Sequence, residues 1–220
     1  MYRNYKKLIN IVVWILVVTL LAIFGTIYVS QTGITNRTLA ENNSLMIAEA
    51  IAVSLNDEMI KNLKGSPEDE GTFAYNEIKS RLTAAFEVVD NIRFAYLYTL
   101  RKDIVYLLAD SEPSDSKDYS PPGQEYTEAA AEYHNAFENG KSLVTQPVSD
   151  RWGEWISFLV PLKHHQTGKV IAVFGMDYPA EKFYNNADSQ TFITGMVVFV
   201  VWLLLISLIV IISRNRKLKK

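Results

Sequence analysis

Histidine, cysteine and carboxylate side chains carry most enzyme chemistry, and this chain holds few of the combinations that such chemistry needs. It contains no Cys and three His, which are His134, His164 and His165. The last two are adjacent in a predicted turn, where we expect them to point apart and to be solvated, and no HExxH or H-x₃-H spacing occurs. G-x-S-x-G, P-loop and GxGxxG motifs are absent as well. The sequence therefore predicts a chain that is not an enzyme and that holds no metal or cofactor.

The acidic stretch 110–126 is a second place where chemistry could occur. Its side chains Asp110, Glu112, Asp115 and Asp118 could offer oxygen ligands to Ca²⁺. The stretch lacks the D-x-[DN]-x-[DN]-G pattern of a calcium loop and the Glu that closes it. Because the stretch also contains Pro and Gly, the sequence favours an irregular, solvated surface loop.

Aromatic side chains alternate along the apolar segment 92–100, as expected of a β-strand. The alternation places Phe94, Tyr96 and Tyr98 on the same face of the predicted sheet. Tyr96 and Tyr98 could fill a hydrophobic core or face a ligand, and the pattern alone does not separate these two roles.

Carboxylates and indoles at strand ends are the best candidates for ligand binding. Asp110 and Asp177 end apolar segments, where a carboxylate must be solvated, hydrogen-bonded or paired. The motif DRWGEW at 150–155 adds flat indole rings, which ligand pockets and ordinary cores both use. The acids would favour a cationic or amine-bearing ligand, whereas Arg93 and Arg151 would favour a carboxylate. The predicted ligand-binding residues are Tyr96, Tyr98, Asp110, Tyr126, Asp150, Trp152, Trp155 and Asp177.

Two uncharged apolar runs, residues 8–29 and 191–213, set the organisation of the chain. A helix of such a run reaches about 33 Å, which matches the hydrocarbon thickness of a bilayer, so both runs are predicted to span a membrane. A cleaved signal peptide is the alternative for the first run. That run is longer than the apolar region of a signal peptide, and no small-x-small cleavage site follows it.

The charges are segregated along the chain. All 24 acidic residues lie between Glu41 and Asp188, and the middle part of the chain, residues 30–190, holds 14 basic residues, which gives it a formal charge of −10. The remaining basic residues lie in segments 1–7 and 214–220. The positive-inside rule therefore predicts that both termini are cytoplasmic and that residues 30–190 form an extracytoplasmic domain. The protein is expected in the plasma (inner) membrane. The acidic middle argues against nucleic-acid binding.

Periodicity predicts an α+β fold for the outside domain, with five antiparallel strands and helices on one face of the sheet. The first helix could start at a capping box formed by Thr38 and Glu41, or continue from the first span without a break. Asn139 and Gly140 should end the last helix. The predicted helices are 36–63, 75–89 and 127–138, and the predicted strands are 92–100, 104–110, 142–146, 154–161 and 169–177.

Four segments of this domain resemble a known family: FAYLYTLRKDIVYLLADSEP, YSPPGQEY, VSDRWGEWISFLVPL and TGKVIAVFGMDYPAEKF. Together with the leading helix, they are similar to extracytoplasmic Cache sensor domains, which have a PAS-like fold and head bacterial and archaeal histidine kinases, diguanylate cyclases and chemoreceptors. The resemblance covers roughly residues 35–185. It implies a PAS-like sheet, a pocket for a small molecule on one face, and no particular ligand.

The resulting functional hypothesis is the sensor portion of a transmembrane signal-transduction receptor. It would bind a small extracellular solute, form a homodimer and signal to a cytoplasmic output module, such as a histidine kinase or diguanylate cyclase. The usual layout of such receptors continues after the second span, so a truncated sensor half is expected here, with its output domain missing after Lys220. The alternative is a membrane-tethered domain that docks onto another protein and has no small-molecule ligand.

Overall fold

The chain folds as an α+β protein in the computed structural model, which describes the backbone of residues 2–218 and the side chains of residue 9 and residues 12–211. Its contacts divide it into two compact units, Met1–Leu39 with Asn185–Lys220, and Ala40–Tyr184. The basic residues that predict the membrane orientation have side chains outside the described residues: Arg3, Lys6, Lys7, Arg214, Arg216, Lys217, Lys219 and Lys220.

Helices precede, interrupt and follow the strands. The described elements are α1 (Tyr2–Ser54), α2 (Asp57–Lys61), a 3₁₀ turn (Pro67–Asp69), α3 (Phe73–Val88), β1 (Phe94–Arg101), β2 (Ile104–Asp110), α4 (Ala131–Asn139), β3 (Leu143–Val144), β4 (Val148–Asp150), β5 (Gly153–Lys163), β6 (Val170–Pro179) and α5 (Ala180–Leu218).

The two apolar runs of the sequence lie on α1 and α5. Both helices are long and apolar enough to cross a membrane, by length and composition, with candidate segments Val12–Ser54 (mean hydropathy 2.6) and Ala180–Ile211 (mean hydropathy 2.9). Their large apolar side chains are mostly exposed within the protein itself. A bilayer is the solvent in which such a surface is stable.

Helix α1 continues without a break past the position of the predicted capping box at Thr38 and Glu41. That capping box is wrong, and the alternative of one continuous helix is confirmed. The helix ends at Ser54. Asn56 then caps α2, because its side-chain oxygen accepts a 3.1 Å hydrogen bond from the backbone N–H of Met59.

In the described part of the chain, six strands form one antiparallel sheet, in the order β2-β1-β6-β5-β3, with β4 paired to the start of β5. The sequence predicts five strands and misses β4. Strand β4 has three residues, of which Ser149 and Asp150 are polar, and it follows Pro147, which has no N–H for the ladder, so the sequence pattern does not indicate a strand there.

Both faces of the sheet are buried, and the alternation along β1 assigns its side chains correctly. Ala95 and Leu97 lie in a core that includes Leu82 of α3. Tyr98 lies in a second core on the opposite face, together with Tyr133 of α4. The expectation that helices cover only one face is therefore wrong, because α4 packs against the other.

The loop after β2 stays paired with that strand, and this delays the start of α4. The backbone N–H of Tyr126 donates to the carbonyl of Val105 at 2.9 Å. Helix α4 begins at Ala131, later than the start of the predicted helix 127–138. Its predicted end is confirmed, since Gly140 has φ 59° in the left-handed region that favours glycine.

Candidate functional site

A cavity opens on the face of the sheet that carries Tyr96 and Tyr98. Its cavity volume is ≈ 40 Å³, which is far below that of usual ligand pockets, so the cavity admits only a very small group. Five aromatic rings line the cavity, and four carboxylates and four hydroxyl groups supply polar atoms. The lining residues are Phe94, Tyr96, Leu107, Asp110, Asp118, Ser120, Tyr126, Tyr133, Asp150, Trp152 and Asp177.

Asp177 lies at the buried end of this pocket, in a network of hydroxyl groups. The Tyr96 hydroxyl donates to its Oδ1 at 3.0 Å and lies 2.8 Å from the hydroxyl of Tyr133, which is 3.0 Å from Ser157 Oγ. Burial raises the pKa of Asp177 to about 7, opposed by hydrogen bonds from Ser157 and Tyr96 and assisted by the charge of Asp150. Asp177 is therefore partly protonated at neutral pH.

Asp150 organises the turn that carries the indole rings. Its Oδ1 accepts hydrogen bonds from the backbone N–H groups of Trp152 (2.8 Å) and Gly153 (3.1 Å) and from the indole N–H of Trp155 (2.9 Å). Its Oδ2 accepts a 2.8 Å bond from the hydroxyl of Tyr126. Burial and this bond to Asp150 both raise the pKa of Tyr126, so its hydroxyl remains a donor.

Asp110 forms a third carboxylate of the pocket, and it is partly neutralised. Its Oδ2 accepts a 2.7 Å bond from the backbone N–H of Ser120, and Lys79 Nζ lies 3.2 Å from its Oδ1. Burial raises the pKa of Asp110, while Ser120 and Lys79 lower it. Lys79 also donates to the carbonyl of Glu112 at 2.6 Å, which ties α3 to the loop after β2.

Both arginines near the site are already paired with carboxylates of the protein. Arg93 donates to Glu112 and, at 2.7 Å, to Asp118. Arg151 forms a two-pronged contact with Glu128 at 2.7 and 2.6 Å. A carboxylate ligand would have to compete with these ion pairs, so the arrangement favours the cationic alternative of the two that the sequence left open.

Gly175 of β6 gives the ring of Tyr96 its place in the pocket. The two residues are partners in the register of β1 and β6. A Cβ at position 175 would overlap the ring atoms Cε2 and Cζ of Tyr96. The absence of a side chain at Gly175 therefore allows the Tyr96 ring to lie across β6 and to reach Asp177.

Six of the eight predicted ligand-binding residues line the cavity, and two do not. Tyr98 is completely buried and donates to the backbone carbonyl of Tyr133 at 2.8 Å, so it is a core residue. Trp155 is buried against Phe94, with ring centroids 5.1 Å apart, and is engaged with Asp150. Ligand binding itself stays a prediction for the six that line it, which are Tyr96, Asp110, Tyr126, Asp150, Trp152 and Asp177.

The sequence-based selection omits five lining residues. Phe94 could have been included, because the alternation of β1 places it on the face of Tyr96. Tyr133 could have been found from its position three residues before Ala136 on the apolar side of α4. Leu107 lies on β2, whereas the positions of Asp118 and Ser120 depend on the path of a loop that composition does not determine. The omitted residues are Phe94, Leu107, Asp118, Ser120 and Tyr133.

The expectation that His164 and His165 point apart is wrong, and of the two only His165 is solvated. Their rings stack, with centroids 5.1 Å apart and an interplanar angle of 15°, and His164 is buried. Hydrogen bonds between His164 and Lys169 (2.9 Å) and between Gly168 and His164 (2.8 Å) close the turn after β5. This curvature removes the alternation of an extended chain and brings consecutive side chains side by side.

No protein-family model and no curated protein sequence matches the chain. Solved structures that resemble the chain include the ligand-binding domain of the Campylobacter jejuni chemoreceptor Tlp3 in complex with L-valine. The likeness has a TM-score of 0.49 and 18% sequence identity, and it covers 77% of this chain and 66% of that chain. The sensory domain of the same receptor with isoleucine bound gives a TM-score of 0.46 at 15% identity, over 77% of this chain and 65% of that chain.

A putative GAF sensor protein from Burkholderia vietnamiensis is more distant. Its TM-score is 0.36 at 16% identity, over 70% of this chain and 88% of that chain. All three likenesses are loose, and the pocket of this chain carries the functional proposal.

Proposed function

We propose that residues 30–190 form the extracytoplasmic sensor domain of a transmembrane receptor, and that its pocket binds a small solute with an ammonium group. The observation that carries this proposal is the set of carboxylates at an aromatic-walled cavity. Among the residues whose side chains are described, neither Asp150 nor Asp177 forms a salt bridge. A cationic ligand would pair with Asp150 and with the ionised form of Asp177.

The walls support a ligand that combines a cation with a short apolar part. The ring faces of Tyr96, Tyr126 and Trp152 offer apolar area and a favourable site for a cation. Arg93 and Arg151 hold other carboxylates of the protein, which leaves the net charge of the lining negative. The small cavity favours a short amine over a nucleotide or an oligosaccharide.

The receptor part of the proposal depends on the two apolar helices. Helix α1 is continuous from the first apolar run to Ser54, so one helix connects the predicted membrane span to the sensor domain in this proposal. We propose a Cache-type, PAS-like sensor with both termini cytoplasmic, a homodimeric assembly, and an output module of the kinase, cyclase or chemoreceptor type. The chain itself has no catalytic role in this proposal. A ligand shifts such a receptor only by its differential affinity for two states.

Thermal unfolding of the full chain in detergent micelles tests ligand binding. The panel comprises primary amines, the alcohols with the same carbon skeletons, carboxylates, nucleobases and amino acids, with L-valine and isoleucine among them. A ligand at 100 times its Kd adds about 2.7 kcal/mol to the free energy of unfolding, which raises the midpoint by several degrees.

The matched variants are Asp177→Asn and Asp115→Asn, since Asp115 is an exposed carboxylate of the loop after β2. Amines should stabilise the wild type and Asp115→Asn, but not Asp177→Asn. Stabilisation by carboxylates or alcohols and not by amines contradicts the proposed ligand class. A well-folded chain that no compound stabilises favours the docking protein without a small ligand.

A further inference from the structure

A second cluster of polar side chains lies away from the pocket, where the start of α2 meets the turn between β5 and β6. It consists of Asp57, Glu58, His164 and His165. Each residue offers one potential ligand atom, and these atoms all lie within 4.8 Å of one another. Asp57 and His165 are 108 positions apart in the sequence, so it is the fold that brings this donor set together.

The separations fit a small tetrahedral metal site. His165 Nδ1 lies 2.7 Å from Asp57 Oδ2, His164 Nε2 lies 3.3 Å from Glu58 Oε1, and His165 Nδ1 lies 3.8 Å from the same oxygen. Ligand atoms about 2.0–2.1 Å from a tetrahedral zinc ion are roughly 3.3 Å apart. The observed distances lie on both sides of that value, so small side-chain rotations are enough to accommodate the ion.

The backbone already orients half of these donors. The N–H of His165 donates to Asp57 Oδ2 at 2.8 Å, which holds that carboxylate beside the imidazole of the same histidine. His164 is buried, and its ring stacks on that of His165. Because these contacts exist without the ion, metal binding requires little ordering of the chain.

We propose that Asp57, Glu58, His164 and His165 form a zinc site that links α2 to the turn between β5 and β6. Two imidazole nitrogens with two carboxylate oxygens are a donor set for Zn²⁺ and similar transition metals. Ca²⁺ and Mg²⁺ prefer oxygen ligands throughout, and six or more of them, so they fit this cluster poorly.

Lys61 is a built-in competitor for this site. Its Nζ lies 3.2 Å from His164 Nε2 and 3.7 Å from Glu58 Oε2. The ammonium group therefore contacts two of the proposed ligands and competes with a metal ion for them. The side chain of Lys61 is 52% exposed. It can therefore turn into solvent when the ion enters, and removing its charge should tighten zinc binding.

Zinc titration of the untagged full chain in detergent micelles, against a chromophoric chelator, tests the site. We expect one Zn²⁺ per chain, bound much more tightly than Ca²⁺ or Mg²⁺. Asp57→Asn and His165→Asn should each weaken zinc binding by at least about tenfold, since even indirect support of a ligand is worth that much. Lys61→Gln should tighten it.

The matched control is His134→Asn, because His134 contacts the carbonyl of Asp103 at 3.0 Å and is not part of the cluster. This variant should bind zinc like the wild type. Circular dichroism of each variant checks the fold, and the exposure of His165 makes its replacement tolerable. Equal zinc affinity of the wild type and the double variant Asp57→Asn/His165→Asn overturns the proposal. The pocket ligand is unaffected by either result, so the two proposals fail independently.

Discussion

The hydroxyl of Tyr96 donates a 3.0 Å hydrogen bond to Oδ1 of Asp177 between the paired strands β1 and β6. This bond joins the aromatic wall of the pocket to a buried acid. Tyr96 favours the ionised form of Asp177, whereas burial favours the neutral acid and has the larger effect on its pKa. The balance places the titration of Asp177 near physiological pH.

Stability should therefore fall as the pH rises toward neutrality. The pKa of Asp177 is about 7 in the folded chain against an ordinary value of 3.8, so between these values the folded state binds more protons than the unfolded state. The free energy of unfolding then decreases by up to about 1.4 kcal/mol per pH unit in that window, and Asp177 adds no further slope above it.

Urea unfolding at several pH values between 4.5 and 8 measures this slope. Asp177→Asn should remove it and should be relatively more stable at pH 8, because the amide never carries a charge. Asp115→Asn, in the exposed loop, should retain it. An unchanged slope in Asp177→Asn would mean that another group is responsible.

Much of this arrangement could be predicted from the sequence, and the reasons for the failures are physical. The period of two in β1 is local, so it correctly put Tyr96 and Tyr98 on one face. Which of them reaches the cavity depends on tertiary contacts: the missing side chain of Gly175 makes room for Tyr96, and Tyr133 of α4 covers Tyr98. The indole N–H of Trp155 likewise donates to Asp150, a contact that the position of Trp155 in the motif did not reveal.

The two tyrosines give a matched pair of single-hydroxyl deletions. Tyr96→Phe removes a donor to Asp177, so the pKa of Asp177 should rise and the pH-dependent loss of stability should extend to higher pH. Tyr98→Phe removes a buried hydrogen bond to the carbonyl of Tyr133 and should cost about 1 kcal/mol at every pH, with ligand affinity unchanged. Unfolding curves at pH 6 and pH 8 separate the two. Identical behaviour of both variants would show that Tyr96 has no special relation to Asp177.

Gly175→Ala adds a single methyl group and should displace the Tyr96 ring. The new Cβ overlaps that ring, and neither group has free space, because Tyr96 is buried. We expect a loss of about 1–3 kcal/mol in unfolding free energy and a weaker response to ligand. Gly71→Ala is the control. Gly71 has φ 80° and no atom within 4 Å of an added Cβ, so this variant should lose stability through backbone strain but keep its ligand affinity. Full ligand affinity in Gly175→Ala would contradict the role of Tyr96.

The absence of Cys allows the membrane orientation to be measured cleanly. Lys117 is exposed in the loop after β2, and Asn215 follows the second apolar run. In intact cells, a membrane-impermeant maleimide should label Lys117→Cys, and it should label Asn215→Cys only after the cells are permeabilised. The opposite labelling pattern would reverse the proposed topology, and labelling of both in intact cells would contradict two spans with cytoplasmic termini.

The affinity for the ligand should rise with pH, in the opposite direction to the effect of Asp177 on stability. An ammonium ligand, with a pKa near 10, stays charged below pH 8, whereas Asp177 with a pKa of about 7 must ionise to pair with it. Affinity for the amine should therefore rise by up to about tenfold per pH unit below pH 7 and level off above it. Calorimetric titration at pH 5.5, 6.5 and 7.5 measures this, with Asp177→Asn as the variant that should bind weakly and without pH dependence. Affinity that falls as the pH rises would mean that the ligand binds the neutral acid, as a hydrogen-bonding neutral solute would.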